Sequence, residues 1–317
     1  MKTLVLETTA PFQGLPELVA YEEGLFEREG LKIEWVDRES ADKRTDVNVQ
    51  SPKGLDPFFS HGKMLEQGKA DLYNACEWGN YSRVETTKVG SRQVGRRSIV
   101  TYAAIVVRGD STVQTPQQLA GKLIGLPYYN GTHYLALQML EGFVPRELIK
   151  TGRLPNGSPY RFKALMDGLC EATTLTEPYI TLAEKKGCRL VVACFHHGTE
   201  VASDRVDPET YSAFNRAVRE AVRRINADKS AYMHYFIDHH KDKDPEIAKL
   251  KVSDLRESRL YMVDPAPIPE EELQRTYEWM KSWGFLETAS CATDLVNMNV
   301  QQRGYERAPS EPATTVQ

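Results

Sequence analysis

A helix that ends at a glycine and runs directly into a strand opens this chain, and it narrows the possible folds more than any other feature. Residues 20–36 read AYEEGLFEREGLKIEWV. Leu18, Tyr21, Leu25 and Phe26 recur at helical spacing and give one apolar face. Gly30 can adopt positive φ and stop the helix. Leu31, Ile33 and Trp35 then alternate with Lys32, Glu34 and Asp37, the period of a half-buried strand. With the strand-like Thr3–Leu6 ahead of it, the opening is β-loop-α-β, which predicts an α/β fold with a parallel sheet.

Composition excludes several function classes. The 317 residues carry 40 basic and 44 acidic side chains, a formal net charge of −4, so no basic excess points to nucleic acid. No apolar run approaches the ~20 residues of a membrane helix, so no transmembrane segment is expected. No signal peptide is legible either: Glu7 follows Lys2 closely, and an apolar core of ~7–15 residues is missing. As written the chain is expected to be cytoplasmic, or periplasmic if a leader was removed. The five cysteines, Cys76, Cys170, Cys188, Cys194 and Cys291, are odd in number and lack paired spacing, which suits free thiols.

The opening motif resembles the start of the type II periplasmic-binding-protein folds of the alkanesulfonate, taurine and nitrate group, a fold shared with the fungal thiamine-pyrimidine synthases. Two further blocks are similar to the same group: VVRGDSTVQTPQQLAGKLIGLPYYNGTHYLALQML at 106–140 and RFKALMDGLCEATTLTEPYITLAEKKGCRLVV at 161–192. Together the matches span roughly Leu4 to Ile225. The resemblance implies two α/β lobes joined by hinge crossovers, with lobe I holding 1–98 and 203–300 and lobe II holding 99–202. Residues 301–317, polar and proline-bearing, read as a disordered tail. The charged stretch at 39–55 is long for a connection and reads as an insertion, either a solvated loop or a lid over the cleft.

Ligands of α/β sheets bind beyond the carboxyl ends of the strands. Four such ends are identifiable, at 7–13, 74–80, 128–133 and 174–179. They offer Thr8, Thr9, Phe12, Trp78, Asn80, Tyr128, Tyr129, Asn130, Gly131, Thr132, Glu177 and Tyr179 as ligand-binding candidates. Each end leads into a helix, whose open N–H groups and dipole favour an anion. Phe12, Trp78, Tyr128, Tyr129 and Tyr179 supply aromatic walls suited to a flat organic ligand. Thr176 is the expected N-cap of the helix that includes Pro178.

Reactive groups fall near the same ends. His61, Cys76, Glu77 and His133 are the candidate acid, base or nucleophile of an enzyme on this fold. Cys194, His196, His197 and Glu200 are close in sequence, but adjacent histidines on a strand face opposite ways, and no metal site is expected. No cofactor is expected. The thiamine-pyrimidine synthases carry a lysine after the third strand for pyridoxal phosphate and an iron-binding CCCFC run. Here 74–78 hold no lysine, and Val192–Phe195 hold one cysteine. The resemblance therefore implies a protein that binds a small organic anion, an aromatic carboxylate or sulfonate among the options, with an ABC permease as partner if it is exported. The alternative is a cytoplasmic cofactor-independent lyase or hydrolase of the decarboxylase or desulfinase kind.

Overall fold

A computed structural model describes residues 1–37, 61–87, 92–286 and 291–305. The stretch read as an insertion or lid at 39–55 lies outside the described residues. The first strand, β1 (Lys2–Glu7), leads into α1 (Pro11–Glu22) and the short α2 (Leu25–Arg28). The helix expected to run through Phe26 breaks at Gly24, which sits at φ 65°. Gly30 closes α2 at φ 76°, and β2 (Leu31–Val36) follows at once. Along β2, Leu31 and Ile33 are buried while Lys32 and Glu34 are exposed, the alternation read from sequence.

The first half then adds α3 (Lys63–Glu66), β3 (Leu72–Cys76), α4 (Glu77–Thr87) and β4 (Arg92–Arg96). The middle of the chain holds β5 (Ile99–Val107), β6 (Leu123–Leu126), α5 (Gly131–Glu141), β7 (Lys150–Arg153), α6 (Ser158–Met166), β8 (Ala172–Thr176), α7 (Tyr179–Lys185) and β9 (Arg189–His196). The return comprises β10 (Gly198–Ala202), α8 (Pro208–Ala227), α9 (His234–Lys241), β11 (Tyr261–Met262), α10 (Glu270–Ser282) and α11 (Met298–Arg303).

These strands form two sheets. The first has the order β2-β1-β3-β10-β4, with β1, β2 and β3 parallel and β10 antiparallel to both its neighbours. The second has the order β11-β5-β8-β6-β7, with β9 also paired to β5. Strand β5 lies between β8 and β9 over Ala103–Val107 and pairs with β11 at Ile99 and Val100, and all of these residues are buried.

The chain passes between the sheets at Arg97–Ser98 and at His197, and the two crossings are tied by a hydrogen bond from the Arg97 N–H to the Gly198 carbonyl (3.0 Å). The second crossing precedes the expected boundary at 202, because β10 belongs to the first sheet. The first sheet is packed by α8. Asp207 caps that helix by accepting from the Thr210 N–H (2.7 Å), Pro208 fits its first turn, and Tyr211, Phe214, Val218, Val222 and Ile225 form its buried stripe. Phe214 stacks on Phe26 at 5.4 Å. Burial of each such side chain contributes roughly 1.5–3 kcal/mol.

Of the stretch expected to be a tail, 306–317 lie outside the described residues, and 301–305 belong to the folded body. Residues 301–303 complete α11, and the Tyr305 hydroxyl lies 3.0 Å from that of Tyr211. Among the described residues, no helix is long and apolar enough to cross a membrane.

Candidate functional site

Between the two sheets lies a cavity of about 200 Å³. Its walls come from both sides. Ala10, Phe12 and Gln13 follow β1, Cys76 ends β3, and His61 precedes α3. Across the gap stand Asn130, Gly131 and Thr132 at the start of α5, Ser158 and Arg161 on α6, and Thr176 at the end of β8. His196 of β9 and His239 and His240 of α9 complete it.

The electrostatics of this cleft are set by Arg161, whose exposure is only 2%. Its Nε donates to the Thr174 carbonyl (2.8 Å) and one Nη donates to the Ser158 hydroxyl (3.2 Å). Its Nη1 has no partner. Burial pushes this guanidinium down to about 9, and no facing carboxylate raises it again. It remains charged at neutral pH, a desolvated cation whose natural complement is an anion.

The start of α5 adds to this. Asn130 occupies the N-cap position without capping the helix. Its amide donates to the Tyr128 carbonyl (3.1 Å), and its oxygen accepts from Asn156 (3.2 Å). The usual capping acceptor is thus diverted: the His133 N–H turns back to the Asn130 carbonyl (2.9 Å), and the N–H groups of Gly131 and Thr132 meet no capping side chain beside the cleft. Gly131 is required by close approach: a Cβ there would lie 2.7 Å from the Cys76 sulfur. Helix α6 likewise begins at Gly157 with no side-chain cap.

The expected ligand-binding residues divide. Phe12, Asn130, Gly131 and Thr132 line the cleft. Trp78 lines a second cavity described below, and the others are engaged within the framework. The Thr8 N–H donates to the Val36 carbonyl (3.0 Å), and the Thr9 hydroxyl donates to Asn74 (3.3 Å). Asn80 is buried and donates to the Thr199 carbonyl and hydroxyl (3.0 and 2.9 Å). Tyr128 reaches Thr151 (2.8 Å), and Tyr129, at φ 60°, packs edge-on to Phe285. Glu177 accepts from Arg259 (2.8 Å) and from the Thr181 N–H (3.1 Å), taking the capping role expected of Thr176. Tyr179 is buried and donates to Asp244 (2.6 Å).

The expected reactive groups also divide. His61 and Cys76 line the cleft. The Cys76 sulfur accepts from the Gly79 N–H (3.3 Å), and burial pushes its thiol up to about 11, so it is not a thiolate nucleophile at neutral pH. His133 stacks on Tyr128 at 4.9 Å, and its Nδ1 accepts from the Tyr129 N–H (3.1 Å). Burial holds it neutral, pushed down to about 3, as a clamp on the loop. Glu77 and Trp78 line a second cavity of about 550 Å³ with His196, His197, Thr276 and Trp279. Glu77 is pushed up to about 7 by burial.

Sequence reading missed Arg161, Gln13, Asn156, His196 as a cleft residue, and the α9 histidines. Arg161 had one available signal, an arginine in the first turns of a helix that opens with Gly-Ser-Pro. His239 and His240 carry no local signal that α9 returns to the cleft. Among the described residues, no group of three or more His, Cys, Asp or Glu side chains is arranged to hold a metal ion.

No family model and no curated protein matches the sequence. Solved structures match in fold. The alkanesulfonate-binding protein SsuA from Xanthomonas axonopodis pv. citri, bound to MOPS, superposes with a TM-score of 0.69 at 15% identity over 93% of this chain and 97% of its own. A Candida albicans gene product, described as having the generic periplasmic binding protein fold, gives 0.66 at 14% over 96% of each. The desulfurization enzyme DSZB gives 0.61 at 13% over 96% of this chain and 99% of its own. The fold is therefore the two-lobed periplasmic-binding-protein fold, in which the neighbours include both binders and an enzyme.

Proposed function

We propose that this chain binds a small organic anion in the interlobe cleft, with the anionic head on Arg161 and the open start of α5. One observation carries this reading: a guanidinium with 2% exposure and an unpartnered Nη1 lines the cavity between the lobes. Phe12 and Pro159 supply apolar surface for the remainder of the ligand. At about 200 Å³ the cleft is below the roughly 300–1,000 Å³ of drug-sized sites, which favours a ligand of few heavy atoms.

Binding is favoured over catalysis because only His61 and Cys76 of the four expected acid–base or nucleophile candidates reach the cleft. Glu77 lines the other cavity, His133 is a buried clamp, and Cys76 is a thiol. Where the chain is exported, the partner implied is the permease of an ABC importer, to which the closed protein would deliver its ligand. The test is calorimetry with benzoate, benzenesulfonate and ethanesulfonate. At least one should bind, and Arg161→Met should abolish its binding. Equal affinity in Arg161→Met would overturn the reading.

A further inference from the structure

We infer that the second cavity, of about 550 Å³, is a ligand site in its own right, and that it takes a small, flat, uncharged molecule bearing an amide: a carboxamide or lactam on an aromatic ring. Its volume falls within the roughly 300–1,000 Å³ of small-molecule sites. It adjoins the anion cleft at His196, but Arg161 does not line it, so the two sites stand or fall separately.

Two consecutive residues at the start of α4 carry the argument. Glu77 is 7% exposed and Trp78 1%, and both line the cavity. Glu77 Oε1 accepts from the Thr276 hydroxyl at 3.5 Å, whereas Glu77 Oε2 and Trp78 Nε1 have no partner among the described residues. His197, held neutral by burial and pushed down to about 4, adds an Nδ1 in the same condition. Buried polar atoms without partners are costly, so a molecule that supplies a donor and an acceptor together is the natural complement.

The charges around this space favour an uncharged occupant. Glu141 is engaged by Arg146 and Trp279, and Glu272 by Arg96. Burial pushes Glu77 up to about 7, against the pull of Arg96 and Arg275. An anion would face the glutamates, and an ammonium would face Arg96 and Arg275. An amide brings no net charge and both hydrogen-bonding halves, an N–H for the Glu77 oxygen and a carbonyl for the Trp78 N–H. It also suits Glu77 in either protonation state, because a protonated carboxyl donates to the same carbonyl. The walls set the shape: the Trp78 ring lies 5.5 Å from His196 and 6.5 Å from Trp279, centroid to centroid, an aromatic surface for a planar ring.

The experiment is calorimetry on the full chain with three probes: benzamide, acetophenone, which keeps the carbonyl and loses the N–H, and benzylamine, which is charged. Benzamide is expected to bind about tenfold more tightly than either of the others. Trp78→Phe keeps the ring and removes its N–H, and Glu77→Met removes the acceptor. Each is expected to weaken benzamide about tenfold, with folding checked by circular dichroism. Arg161→Met should bind benzamide as the parent does. No heat of binding from benzamide at millimolar concentration overturns the site. Equal affinity for acetophenone or benzylamine in the parent protein overturns the amide assignment, and this comparison needs no variant to fold. Unchanged benzamide affinity in folded Trp78→Phe and Glu77→Met, or its loss in Arg161→Met, overturns the location.

Discussion

Two neighbouring cavities share a wall and differ in chemistry. His196 lines both, and the consecutive residues Cys76 and Glu77 each line one. The cleft presents an uncompensated cation and open N–H groups. The second cavity presents Glu77, Glu141 and Glu272 beside Arg275; Glu141 is engaged by Arg146 and Trp279, and Glu272 by Arg96. The difference teaches that position at a strand end is not enough to identify a ligand contact. A single residue step at the end of β3 moves a side chain from the anion-seeking cavity to the acidic one.

The largest effect that could break this comparison is expected from Arg161. Arg161→Met should lower the affinity for a bound anion at least 100-fold in calorimetry, because charge-assisted hydrogen bonds contribute about 1.5–3 kcal/mol each. A loss below threefold would show that the cleft is not distinguished by its cation.

Thr132→Asp comes next. It adds a negative charge at the α5 start, where an anion head would sit, and should weaken binding at least tenfold with the melting temperature little changed. A negative charge at a helix start is favourable to the helix, so folding should tolerate it.

The acidic cavity makes its own prediction. Burial raises Glu77 to about 7, and it raises Glu17 and Glu200 as well. A carboxyl raised in the folded state binds more protons folded than unfolded. Its stabilising effect is present below the unfolded value near 4.5 and is lost as pH rises toward 7 and above. Denaturation free energy should therefore fall across that window, by an amount on the order of 2 kcal/mol for Glu77 alone. Glu77→Gln should flatten the profile, and a parent profile that rises with pH would contradict the burial of these groups as uncompensated acids.

The smallest effect is expected from Cys76→Ser. The side chain touches the cleft as a neutral thiol, so anion affinity should change less than threefold. Alkylation of Cys76 at pH 7, followed by mass spectrometry, should be slower than that of exposed Cys291.

Much of the framework was legible because it depends on local pattern. The Leu31–Trp35 alternation, the stop at Gly30 and the Gly131–Thr132 helix start are all short-range signals, and each appears where it was read. The cleft was legible only where strand ends supply it. Arg161 sits mid-helix, and its significance lies in lacking a carboxylate partner, which no neighbouring residue reveals. His240 reaches the cleft only because α9 folds back on the body. Glu177 reads as a ligand contact until Arg259, far along the chain, is seen to claim it. Tyr305 reads as tail until its packing on Tyr211 is known. In each case the deciding partner is distant in sequence.

The way the chain divides between the sheets also bears on how it is made. The strands of the second sheet between β5 and β9 come from one continuous stretch, which a ribosome would deliver whole. The first sheet needs β10, and its packing needs α8 and the Tyr211–Tyr305 contact. The strands synthesised first, β1 to β3, must therefore wait for the residues synthesised last. Domains tend to fold as units during synthesis. The middle of this chain is accordingly the part equipped to fold first, and the amino-terminal half-sheet, with its unpaired β3 edge, is the interval in which a nascent chain most needs protection.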